Sequence, residues 1–358
     1  MAKLSLFLPP FAADYSGAAG VLFGLDSLNV IVDASCCTRN YTMIDEPRWT
    51  KARKSTFGAQ LRTLEATLGD DARLLDQTEQ AAAELGVSCI ALIGTPVPAL
   101  VGMDFDGMAW ELEDRCGVPV IGVDTNGFDT YELGASRMQL QLVQRFAQGG
   151  APGEGRKANV LGATIQDFGS AAALGSLARA VRERGCELAW DTAGDYTLQD
   201  VEATGVAGES VVCSWSGLAA ARELERRFGV PYRAGVPTAA LEALPGAKEL
   251  LAGAADGSSP LLIVHDQVIA NSLRDALRER GARRPVRVAS LFAMDDGLME
   301  PGDFRIQRET DLIGFAKSNP DAEIAGDPLL RRLPCAGDAV RWPLPHEAVS
   351  SNLRASER

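Results

Sequence analysis

Short apolar runs recur along this chain, each followed by a longer stretch with apolar residues at helical spacing. That alternation restricts the fold more than any other feature. The runs at 87–93, 118–123, 159–163, 187–190, 210–214, 261–265, 286–292, 323–325 and 339–342 read as strands. Residues 131–146, 170–184, 198–203, 217–227, 267–280 and 309–316 read as helices. Strands joined through helices form right-handed crossovers and parallel sheets, so an α/β protein is expected. The stretch Gln148-Gly-Gly-Ala-Pro-Gly-Glu-Gly-Arg156 breaks all periodicity, and the Gly- and Ala-rich residues 252–259 break it again. Three Rossmann-like domains in tandem, 1–150, 157–255 and 260–358, are the predicted organisation. Clefts between such domains, and the ends of their strands, are where ligands tend to bind.

Composition excludes several functions. The formal net charge is −13, from 35 basic and 48 acidic residues, so a polyanion is repelled on average and nucleic acid is not an expected partner. Arg283, Arg284 and Arg287 form the one basic group, and it reads as a solvated surface. The opening Met1-Ala-Lys-Leu-Ser-Leu-Phe-Leu-Pro-Pro10 has too short an apolar run for a signal peptide, and no window suits a membrane span. A cytoplasmic protein is expected. Its seven cysteines, an odd number, then favour metal ligation or plain burial over a disulfide framework. Neither G-x-G-x-x-G nor G-x-x-x-x-G-K-[ST] occurs, so a nucleotide phosphate loop is not supported.

Individual residues at strand ends carry the candidate chemistry. Cys36 and Cys37 are adjacent; a thiolate pair can ligate a metal cluster, or one thiol can simply be a small buried hydrophobe. Cys213 ends a strand before a helix and reads either as a buried thiol or as one facing a cofactor. Cys89 and Cys186 read as packing, and Cys116 and Cys335 as loop residues without a second ligand nearby. The two histidines, His265 and His346, read as structural groups or as catalytic proton donors, since imidazole titrates near neutral pH. Thr125 and Asn126, between a strand and a helix, can donate to a substrate anion, unless Asp129 or Thr130 merely caps that helix. The string Asp45-Glu-Pro-Arg-Trp49 reads as a structural turn at a subunit contact.

The segment Asp33-Ala-Ser-Cys-Cys-Thr-Arg-Asn-Tyr-Thr-Met-Ile-Asp-Glu-Pro-Arg-Trp49 resembles the nitrogenase component 1-type oxidoreductases. The resemblance continues in order through Pro9-Pro-Phe-Ala-Ala-Asp-Tyr-Ser-Gly17, Ile93-Gly-Thr-Pro-Val-Pro98 and Gly122-Val-Asp-Thr-Asn-Gly-Phe-Asp-Thr-Tyr131. Phe228-Gly-Val-Pro-Tyr232, Asp327-Pro328 and Leu344-Pro-His-Glu-Ala-Val-Ser350 complete it. It implies that Cys37 takes the place of the cysteine that ligates the electron-entry cluster at the subunit interface. It also implies that Cys213, by its register ahead of Phe228-Gly229, corresponds to the cysteine anchoring a second, active-site metallocofactor. Two family cysteines are missing, one replaced within Ala18-Ala19-Gly20 and one near Ile93-Gly-Thr95.

What the resemblance implies is the catalytic subunit of a two-component reductase, fed with electrons by a separate ATP-dependent Fe–S reductase protein. One chain offers too few thiolates for a cluster, so a [4Fe–4S] centre shared across a homodimer, or a heteromer with a related subunit, is expected. Family substrates range from dinitrogen to tetrapyrrole double bonds and carbon–sulfur bonds. A scaffold for metallocofactor assembly and a metal-free small-molecule binding protein are the rival expectations.

Overall fold

The computed structural model describes residues 5–34, 36–50, 55–150 and 156–350. Its strands form three separate sheets in which all paired strands run parallel. The first has the order β2-β1-β3-β4, from Ser27–Ile31 (β1), Thr56–Gly58 (β2), Cys89–Ile93 (β3) and Val120–Val123 (β4). The second has the order β6-β5-β7-β8, from Lys157–Leu161 (β5), Glu187–Asp191 (β6), Glu209–Val212 (β7) and Tyr232–Ala234 (β8). The third, β11-β10-β9-β12-β13, takes Leu261–Val264 (β9), Val286–Ser290 (β10), Phe304–Arg305 (β11), Glu323–Gly326 (β12) and Val340–Pro343 (β13). The central strands β1, β3 and β9 are buried along their whole length, which is why β3 and β9 read as unbroken apolar runs.

Helices complete the layers. In the first unit they are Asp14–Val21 (α1), Cys37–Asn40 (α2), Thr63–Leu68 (α3), Ala72–Leu85 (α4), Pro96–Val101 (α5), Phe105–Cys116 (α6) and Tyr131–Phe146 (α7). The second unit has Ile165–Phe168 (α8), Ala171–Glu183 (α9), Leu198–Glu202 (α10), Leu218–Phe228 (α11), Thr238–Leu241 (α12) and Ala247–Gly253 (α13). The third has Gln267–Glu279 (α14) and Glu309–Ser318 (α15). Thr197 caps α10 through its hydroxyl, as its sequence position predicts. Gly229 adopts a left-handed conformation (φ 70°) that closes α11.

Two contacts join segments far apart in the sequence. Helix α1 lies so close to α7 that a Cβ on Gly134 would stand 1.9 Å from the Asp14 carbonyl oxygen, and one on Gly17 equally close to that of Tyr131. Only hydrogen fits between these backbones. The second contact joins distant parts of the chain: the Glu309 carboxylate accepts the backbone N–H groups of Leu6, Phe7 and Leu8 at 2.8–3.0 Å. Ala12 N–H also donates to the Ala348 carbonyl at 3.0 Å. One apolar cluster spans the second and third sheets, and another runs from α1 and β3 into β7 and α11.

The basic group proves different from its sequence reading. Arg284 is buried, and donates to the Ser259 and Ala254 carbonyls and to Glu323 (2.8 Å). It fastens the entry of β9 to β12. Cys116 also differs, closing α6 rather than lying in a loop. No helix among the described residues is long and apolar enough to cross a membrane.

Candidate functional site

Each sheet order contains a point where the chain leaves one side and returns on the other. These points lie between β1 and β3, between β5 and β7, and between β9 and β12. Loops diverge beyond the carboxyl ends of such strands and leave exposed backbone groups, so ligands collect there. The first point carries Cys37, which opens α2, and Thr95, which follows β3. At the second stand Thr164, Asp167 and Cys213, and at the third His265, Asp266 and Asp327.

In the first, Asp33 shapes the cysteine turn. Its Oδ2 accepts both the backbone N–H and the hydroxyl of Thr38 at 3.0 Å, which pins the chain on either side of the two thiols. Cys36 is exposed and Cys37 half-buried. The hydroxyls of Thr95 and Tyr15 face the Cys37 thiol. Burial, then the charges of Asp33 and Cys36, push that thiol up, so binding a metal cluster would have to release its proton. The neighbouring string is an internal fastening. Glu46 and Arg48 pair at 2.7 Å, Arg48 donates to the Gly20 carbonyl, and its guanidinium lies 4.1 Å from the Phe23 ring centre.

The second and third points meet over a buried polar cluster. Tyr131, at the start of α7, donates its hydroxyl to Asp167 Oδ1, and the Tyr131 hydroxyl oxygen lies 3.2 Å from His346 Nε2. His346 Nε2 is 3.4 Å from Asp167 Oδ1, while Asp167 Oδ2 accepts the Thr164 hydroxyl at 2.6 Å. His265 stacks on His346, with ring centres 4.1 Å apart and planes 12° from parallel. Asp327 accepts the His346 backbone N–H at 2.8 Å, and Asp266 accepts that of Trp215 at 2.9 Å while capping α14. Burial and then His346 push the His265 pKa well down. Burial and then Asp167 push both the Tyr131 hydroxyl and the Asp266 carboxyl well up. In each case the loss of solvation on burial disfavours the charged form. The space among Val264, His265, Phe292, Leu330, His346 and Val349 has no room for a water molecule.

The remaining sequence candidates lie apart from this cluster. Cys213 is 1% exposed, belongs to the same apolar cluster as Ala163, Val211, Val236 and Ile263, and has the Val211 carbonyl 3.9 Å from its sulfur. Thr125 is fully buried and donates to the Gly94 carbonyl at 2.7 Å. The loop of Asn126 does bind a carboxylate, but one from the same chain. The N–H groups of Asn126 and Gly127 donate to Asp14 at 2.8 and 2.7 Å, and Tyr15 N–H adds a third bond at 2.8 Å. Asn126 Oδ1 accepts from Phe128 and Asp129, which shapes the loop. Cys89 and Cys186 are buried, in line with packing roles.

Sequence reasoning missed Tyr131, Asp167 and Asp266. Tyr131 reads only as the first residue of a helix, and Asp167 only as part of a Thr-x-x-Asp turn. Asp266 carried the one available signal, a carboxylate beside His265 at a strand end.

The fit of iron–sulfur chemistry differs between the two places. The cysteine turn offers two adjacent soft donors at the surface, which is half of a four-thiolate set. No group of three or more His, Cys, Asp or Glu side chains among the described residues could hold a metal within one chain. Cys213 does not fit a second metallocofactor, because packed apolar side chains occupy the space a cluster would need.

Comparison with known proteins agrees with this architecture. The family model for the nitrogenase component 1 type oxidoreductases matches residues 13–242. A solved structure of nitrogenase Cp1 at pH 6.5 superposes with a TM-score of 0.72 and 13% identity, covering all of this chain and 93% of that one. A structure of nitrogenase Cp1 at pH 5 gives 0.58 and 15% identity, over 84% of this chain and 70% of that one. No curated protein matches the sequence.

Proposed function

Because this chain belongs to the nitrogenase component 1 type oxidoreductase family, we propose that it is the electron-receiving subunit of a two-component, cytoplasmic reductase. In this reading Cys37 and Cys36 supply two thiolates to a [4Fe–4S] cluster, and a second copy or a related subunit supplies the other two. When bound, such a cluster stores and passes single electrons. The observation that carries the reading is the cysteine turn itself: two adjacent thiols, one exposed, at the switch point of the first sheet.

The chain's own residues do the positioning. Asp33 holds the turn through Thr38. Tyr15 and Thr95 offer hydroxyls to the inner thiol, which favour its charged form against the cost of burial. Among the described residues, the exposed large hydrophobic side chains all lie between Leu6 and Phe128, in the unit that carries the cysteines. The electron donor of this reading is an ATP-dependent Fe–S reductase, consistent with the lack of a phosphate loop in this chain. The three units 1–150, 157–255 and 260–358 are proposed as its domains.

The test is anaerobic reconstitution with iron and sulfide. The wild type should gain broad visible absorbance and elute as a dimer, or as a complex with a related subunit. Cys37→Ser should abolish the absorbance and Cys36→Ser should weaken it, whereas Cys186→Ser should leave it unchanged. A wild-type protein that takes up no iron would replace this reading with a metal-free binding protein.

A further inference from the structure

We propose that Tyr131, Asp167, His265 and His346 fill the place of a second cofactor where the second and third sheets meet, and that Cys213 binds no metal. The side chains fasten the sheets together instead. The inference is independent of whether Cys36 and Cys37 hold a cluster.

Three observations carry it. First, Tyr131, Asp167 and Asp266 find their partners inside the protein, and among the four proposed residues only His265 leaves a buried nitrogen, Nδ1, without one. Asp167 uses both oxygens, on Tyr131 and His346 at one and Thr164 at the other. Asp266 uses both as well, on Trp215 and on the first turn of α14. A cofactor entering here would find few open donors or acceptors, and displacing the existing ones would strand buried polar atoms. Second, the space beside the stacked imidazoles admits no water molecule, so a cluster of several atoms has nowhere to sit. Third, Cys213 is enclosed by aliphatic side chains, and burial raises its thiol pKa. A thiolate there would be an uncompensated buried charge. Tyr131 belongs to the first unit, Asp167 to the second and His346 to the third, so the contacts among these three tie the units together, while His265 stacks on His346 within the third.

Metal content and thiol reactivity test the two halves of the proposal on the full chain. Iron per chain, measured by plasma emission after anaerobic reconstitution, should be the same in Cys213→Ala as in the wild type. Loss in Cys213→Ala of metal that a Cys36→Ser/Cys37→Ser variant retains would overturn the proposal. If neither protein takes up iron, the reductase reading fails while the assignment of Cys213 stands.

For the fastening, maleimide labelling of native protein is followed peptide by peptide. Cys213 should be nearly unreactive in the wild type. Tyr131→Phe/His346→Gln should speed its labelling by about tenfold or more, as expected when a buried hydrogen bond is lost, with Cys89 of the first sheet unchanged. Equal rates in variant and wild type would refute the fastening. Faster labelling at both cysteines reports global unfolding, and the single Tyr131→Phe then gives the same ratio in a folded protein.

Discussion

Asp14 shows how a single carboxyl can join two segments and still work against stability. It receives three backbone N–H bonds, and Arg137 lies 3.5 Å away. Burial outweighs the N–H bonds of Asn126, Gly127 and Tyr15, and its pKa is pushed up from 3.8 to about 6. The folded chain therefore holds this proton more tightly than the unfolded chain does. Between about pH 4 and 6 unfolding releases it, so this group's contribution falls as pH rises through that window and is level above it. The full span is at most about 3 kcal/mol. Asp14→Asn should remove this part of the slope, read as the difference in urea-denaturation free energy between pH 4.5 and pH 7 for variant and wild type. Equal slopes in both proteins would refute the assignment. At this scale the sequence was legible where chemistry is rare: two histidines and one cysteine pair stood out by type and by position after strands. Asp14, Tyr131 and Asp167 are common residues whose partners lie far away in sequence, so no local pattern marked them.

Secondary elements were legible in proportion to how strongly packing imposed a period. Helix α7 matches its predicted span of 131–146 because one face is buried throughout. Strand β1 was not separately read, since Ser27-Leu-Asn-Val-Ile31 mixes buried polar and apolar side chains. Helix α1 also gave no signal: all eight of its residues are buried, so it has no polar face to create a period. Its position rests on glycine instead. Gly134→Ala would drive a methyl group into the Asp14 carbonyl, which cannot yield without separating α1 from α7. Overpacking of this kind costs about 1–3 kcal/mol and here should fall at the upper end or beyond. A thermal melt should show the loss as a drop of several degrees, or as insoluble protein. Gly175→Ala is the control, since nothing lies within 4 Å of its added Cβ. An unchanged melting point for Gly134→Ala would disprove the tight contact. Arg284 shows the limit of composition: three nearby arginines read as surface, yet one completes the bonding of buried carbonyls.

At the scale of the whole molecule, three parallel sheets were evident from the β–α alternation, whereas their mutual fastening was not, because it is made by residues far apart in sequence. Glu309 illustrates this, accepting N–H groups from residues about 300 positions earlier. Glu309→Ala should leave those amides without partners, and hydrogen–deuterium exchange of the peptide covering residues 5–12 should quicken markedly while α14 stays protected. If exchange there is unaltered, the carboxylate is not what orders the segment. The same contact bears on synthesis. Residues 6–8 leave the ribosome 303 positions ahead of the residue that receives Leu6. At about 5–20 residues per second, that is a wait of roughly 15–60 s. Throughout it, the amides of Leu6, Phe7 and Leu8 lack their acceptor and Leu8, the one side chain of the three that the fold buries, lacks its place, so the segment should stay open to chaperones and proteases until α15 has emerged.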